Sequence, residues 1–161
     1  MANLNEITAY KSRMMQAFCT SPELTPLLTI DGEKELSGKA LMYSRVFPYA
    51  HVPNVVENAK SFVCFKVDVI NVVNDIIKTM QITVYCISHQ TLLRLPDGKG
   101  LRPDVMAAQV DKIMNGNTEF GLGKVELVTA KEFNPITNYS GREAVYRVKD
   151  FNRDLCEGNW L

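Results

Sequence analysis

The sequence predicts an α+β fold: a two-layer sandwich, mostly antiparallel sheet with helices packed on one face, plus an extended arm. Two long runs alternate with a period of two, the signature of strands. Two other segments place apolar residues at helical spacing. The chain has 161 residues, 46% hydrophobic and 22% charged, which is one ordinary globular domain able to bury a core without staples. No repeat or linker divides it, so residues 1–161 form one domain.

In chain order, Leu4, Ile7, Met14 and Phe18 mark an amphipathic first helix from about Leu4 to Phe18. Ser21-Pro22-Glu23 supplies a capping serine, a proline for the first helical position and an acidic first turn. A short second helix starts there, and Pro26 limits its length. Asp31 to Lys39 is polar with two glycines and reads as a loop or hairpin tip. Between Leu41 and Pro53, Phe47-Pro48-Tyr49 and His51-Val52-Pro53 set aromatics among prolines that hold the backbone extended. This is the arm, or an edge segment.

In the first strand Val63, Phe65, Val67 and Val69 share one face, with Cys64, Lys66 and Asp68 on the other. A turn at Asn71 to Asp75 leads to a second strand, Lys78 to His89. There Met80, Ile82, Val84 and Cys86 alternate with Thr79, Gln81, Thr83 and Tyr85. Pro96-Asp97-Gly98 makes a turn. Pro103 opens a helix that Gly116 ends, with Met106, Val110, Ile113 and Met114 inward and Asp104, Asp111 and Lys112 outward. Two further strands follow. Lys124 to Phe133 carries Val125 and Leu127, and Arg142 to Phe151 carries Ala144, Tyr146 and Val148. The residues after Asn152 form a C-terminal tail, 153–161.

Lysine plus arginine and aspartate plus glutamate each total 18, so the balance provides no basic field for nucleic-acid phosphates and no polybasic membrane patch. The start of the chain lacks a signal-peptide apolar stretch, and no window is apolar enough to span a membrane. Cys19, Cys64, Cys86 and Cys156 form no CxxC pair and read as buried, reduced thiols of a protein made in a cytoplasm.

Catalysis needs titratable groups that converge. The two histidines, His51 and His89, sit in the arm and at a strand end, and neither shares a nucleophile motif with a serine or cysteine. Gly121-Leu122-Gly123 precedes a strand, whereas dinucleotide binding wants glycines after one. The best enzymatic case is a magnesium-dependent nuclease using Asp68, Asp104 and Asp111. Against it, Asp104 suits the positive end of its helix, Asp111 suits a solvated surface, and Asp68 suits a strand end. No catalytic residue, metal ligand or cofactor site is expected. Two apolar stretches present a choice between folding onto the core and forming a contact patch: Phe47 with Tyr49, and Gln90 to Leu95 with its three leucines.

Arg45-Val46-Phe47-Pro48-Tyr49, the paired strands from Phe62 to His89, and Leu101-Arg102-Pro103-Asp104 carry a likeness. So do Gly121 to Leu127 and Tyr146 to Asn152. Over about two thirds of the chain, this order of elements resembles the bacteriophage and prophage tail terminators, the tail-completion or head–tail joining proteins. The resemblance implies a structural virion protein made in the host bacterial cytoplasm and placed in the tail or neck. It implies a homo-hexameric ring that caps the tail tube, ends its polymerisation and meets the head-completion or connector protein. The even charge balance and the lack of a spanning apolar window predict no membrane and no sequence-specific nucleic-acid partner. Another neck or tail position is an alternative, as is a module that binds a host protein. A ring needs two unlike contact patches on each subunit. The expected contact residues are Arg45, Phe47, Tyr49 and His51 in the arm, Leu92, Leu93 and Arg94 in the later loop, and Trp160 in the tail.

Overall fold

A computed structural model describes residues 4–29, 38–53 and 59–152. Its centre is a five-stranded sheet in the order β1-β2-β3-β5-β4, built from β1 (Val46–Phe47), β2 (Ser61–Val72), β3 (Ile77–His89), β4 (Leu122–Phe133) and β5 (Tyr139–Phe151). Every pairing is antiparallel except β1 with β2, where Val46 and Phe47 lie beside Val63 and Cys64. Helices α1 (Asn5–Thr20), α2 (Thr25–Leu28) and α3 (Arg102–Met114) cover one face. The α+β architecture with helices on one side is therefore present.

The period-two pattern sorts side chains between two apolar clusters. Val63, Phe65 and Val67 of β2, Met80, Ile82, Val84 and Cys86 of β3, and Ala144, Tyr146 and Val148 of β5 point under the helices. They meet Tyr10, Met14 and Phe18 of α1 and Met106, Val110 and Met114 of α3. On the opposite face, at one end, Phe62, Cys64, Tyr85, Ile87 and Tyr139 pack with Phe47. Residues 82–88 of β3 are thus buried on both faces, as a central strand requires.

Local details adjust several expectations. The first helix gains Tyr10 as a fully buried contact, while Leu4 lies outside it and is exposed. Proline at the start of α2 is Pro26, not Pro22. Ser21 still caps that turn by accepting from Leu24 N at 3.2 Å. The arm is an edge segment: Leu41 and Val46 are fully buried, and β1 adds to the sheet. Deleting residues 41–53 would therefore remove part of the core. Leu127 of β4 pairs with Tyr146 of β5 and is exposed, whereas Val125 is buried. The loop expected at Asp31 to Lys39 falls largely outside the described residues, apart from a 3-10 turn at Gly38–Ala40.

α3 follows its sequence signals, with Pro103 in the first turn, Asp104 near its positive end and Lys112 in its last turn. Gly116 then takes φ +78°, which only glycine adopts without strain. This loop turns back along β4. Gly116 N donates to Val125 O at 2.7 Å and Val125 N to Asn117 O at 2.9 Å. The outer edge of β4 is thereby paired at Val125 by its own chain.

Candidate assembly surfaces

The arm and the later loop are joined to the core by two buried arginines. Arg45, 4% exposed, donates from Nε to Leu28 O at 3.3 Å. Arg102, 5% exposed, donates from Nη1 to Leu27 O at 2.8 Å and from Nε to Leu92 O at 2.9 Å. Carbonyls at the end of a short helix lack intrahelical partners, and guanidinium groups suit that negative end. Arg45, expected as a contact residue, is instead turned into the fold.

The aromatics of the arm divide. Phe47 is buried and its ring stacks on His51, with centroids 4.0 Å apart and 11° between planes. Phe62 lies 5.9 Å from Phe47 and 5.2 Å from His51. His51 Nε2 is buried without a hydrogen-bond partner among the described residues. Tyr49 faces solvent, 48% exposed. Of the four arm residues, then, Tyr49 alone offers a large exposed ring.

The later loop folds back on the molecule. Arg102 N donates to Leu93 O at 2.7 Å and Leu95 N to Gly100 O at 3.0 Å. Leu92 and Leu93 are half-buried and Arg94 is exposed. Asp97 and Gly98 both take positive φ, 59° and 67°, so the predicted turn uses two consecutive left-handed residues. Trp160 lies outside the described residues.

The three aspartates of the nuclease reading are held apart. Asp68 stands exposed beside Gln81 on the face away from the helices. Asp104 accepts from Arg142 Nε at 2.6 Å. Asp111 is half-buried, not solvated, and accepts from Tyr146 Oη at 2.9 Å. Burial of Tyr146 and this carboxylate raise its phenol's pKa, so the hydroxyl stays a donor. Among the described residues, no group of three or more His, Cys, Asp or Glu is placed to hold a metal ion.

Two surfaces escaped the sequence reading. One is the tip of the β2–β3 hairpin, where Ile70, Val72, Val73 and Ile76 are 41, 50, 51 and 55% exposed. The tip is well tied. Asn74 Oδ1 accepts from Ile76 N at 2.8 Å and Ile77 N at 2.9 Å, and Asn152 N donates to Ile76 O at 2.6 Å. The β2–β3 register shifts between Val69 and Asn71, where the tip begins. The sequence announced a turn at Asn71 to Asp75. It did not announce that no helix among the described residues covers the strand ends.

The other surface is a groove of about 640 Å³ between α1 and the segment Gly38 to Pro48. Met15, Met42 and Pro48 line it with apolar atoms, Lys11 and Lys39 add positive charge, and Tyr43 stands beside it. Tyr43 is 64% exposed at φ +59°, a conformation uncommon for a bulky side chain. A hydrogen bond from Tyr43 N to Val46 O at 2.9 Å holds it there.

No curated protein matches the sequence. A family model described as YomW matches residues 21–148, from the turn before α2 to near the end of β5. That span holds the arm, the hairpin tip, the later loop and all five strands. The chain belongs to the YomW family, named after a prophage-type gene product, and is on that ground phage-associated.

Proposed function

We propose that this protein is a tail terminator: a structural virion protein that forms a ring of six at the end of the phage tail tube. There it stops tube growth and meets the head-completion or connector protein. The observation that carries the reading is the hairpin tip. Four branched aliphatic side chains are held exposed by a tied turn, on a chain with a full core of its own. Exposed apolar patches that are ordered and distinct from the core mark protein contacts. Phage association and the order of elements supply the setting.

The test is electron microscopy of the purified full chain mixed with growing tail tubes from the same phage. Rings of six at tube ends, with tubes that no longer lengthen, are expected. Bare tube ends and a chain that stays monomeric would overturn the reading. Val73→Asp places a charge on the tip without touching the core, and it should abolish end binding while leaving the melting temperature within a few degrees.

A further inference from the structure

We infer that the aliphatic hairpin tip of one copy seats in the groove between α1 and the Gly38–Pro48 segment of a second copy. The inference rests on the ring reading and names the contact that would build the ring. A closed ring of identical subunits needs a heterologous interface, with two different complementary surfaces on each chain. The tip and the groove are such a pair, since no residue of the hairpin lines the groove of its own chain.

Their chemistry matches in three respects. The tip is aliphatic, and the groove is lined by Met15, Met42 and Pro48. Unbranched methionine side chains adapt to the shape of whatever enters. A cavity of about 150 Å³ accepts a benzene molecule, so a groove of about 640 Å³ takes several branched side chains. The charges are also opposite. From Val67 to Ile77 the hairpin has Asp68 and Asp75 and no basic residue, whereas the groove carries Lys11 and Lys39. An acidic tip is also poorly suited to an anionic lipid surface, which attracts lysine and arginine.

Tyr43 provides an independent reason to choose this groove. A left-handed backbone at a bulky residue is strained and persists where the surroundings enforce it. Here that conformation holds a large, amphipathic ring in solvent beside the groove. Tyrosine in such a position is a characteristic anchor of protein interfaces.

The experiment uses the full chain on a Cys156→Ser background, carrying Val73→Cys with Met42→Cys. Under mild oxidation the pair should give disulfide-linked ladders, while each single variant gives none. In parallel, Asp75→Lys should raise the concentration for half-assembly at least tenfold. Adding Lys11→Glu and Lys39→Glu should restore most of that loss. If the wild-type chain forms rings but the cysteine pair does not link and Val73→Asp assembles normally, this contact is overturned and the ring reading survives. If the wild-type chain neither self-associates nor binds tube ends, both fall. Amide exchange that shows the groove protected in the monomer by residues 30–37 would also overturn the contact.

Discussion

Arg45 and Arg102 reach adjacent carbonyls of one helix end: Arg45 Nε donates to Leu28 O and Arg102 Nη1 to Leu27 O. The end of α2, the entry to β1, the loop at Leu92 and the start of α3 meet here, because Arg45 leads into β1 and Arg102 opens α3 while also holding Leu92 O. Hydrogen bonds from charged groups are worth about 1.5–3 kcal/mol each when a partner is left buried. Arg102→Met should therefore lower unfolding free energy by roughly 2–4 kcal/mol in urea melts. Arg102→Lys should recover less than half, because a single ammonium cannot reproduce the planar fork that reaches two carbonyls. Full recovery by lysine would show that charge alone matters.

Lys78 is fully buried on β3, and its Nζ lies 2.9 Å from Glu6 Oε2. Lys78 is fully enclosed while Glu6 is partly exposed, so losing Glu6 takes a partner from a charge that water cannot reach, whereas losing Lys78 leaves a carboxylate that water can still solvate. Glu6→Gln should cost about 1.5–3 kcal/mol. Lys78→Met should cost less, because the carboxylate it leaves behind is partly solvated. Thermal melts of both variants decide, and equal losses would argue that the lysine stem's packing dominates.

Gly121 is a position of close approach. A Cβ there would lie 2.4 Å from Lys149 O and 2.8 Å from Tyr10 Oη. Tyr10 Oη is itself committed to Asp150 Oδ2, so it cannot simply swing aside. Gly121→Ala should push the start of β4 from β5 and cost about 1–3 kcal/mol. Amide exchange should rise first at Leu122 to Glu126; an unchanged pattern would show that the backbone yields without cost.

Burial pushes the thiols of Cys19 and Cys64 up to about 11, and that of Cys86 higher still. At pH 8 about one thiol in a thousand is then ionised, and the thiolate is the reactive form. In a Cys156→Ser chain, a chromogenic disulfide reagent should label none of the three rapidly in the native state and all of them on unfolding. The unfolded chain ionises near about pH 8.5, below the folded values. Stability from this source is therefore complete below about pH 8.5 and is lost as pH climbs toward about 11. Melting temperature should fall through that window. Fast stoichiometric labelling at pH 8 would contradict the burial.

Much of this fold was legible from residue types because period-two alternation fixes which face a side chain takes. The stripes on β2, β3 and β5 and the α3 stop at Gly116 follow from that and from glycine's backbone freedom. What was not legible depends on distant segments meeting. Arg45 looked like a surface contact because its partner, Leu28 O, belongs to a helix end that only the tertiary fold brings near. Asp111 looked solvated because Tyr146 comes from another strand. The groove joins α1 to residues 38–48, and no local pattern announces it. The residues Asn71 to Asp75 announce the turn at the tip, but its exposure depends on where the helical layer stops.

The pairing of Gly116 and Asn117 with Val125 has a consequence for how copies meet. An open strand edge is a template on which further strands can be laid without limit, as in fibres. Here part of that template is already occupied from within, and Val46–Phe47 occupies Val63–Cys64 at the opposite margin. At those places recognition between molecules is left to side chains, which have shape and sign, instead of backbone amides, which have neither. Loosening the Asn115–Asn117 segment would reopen that part of the edge to backbone pairing with any other strand.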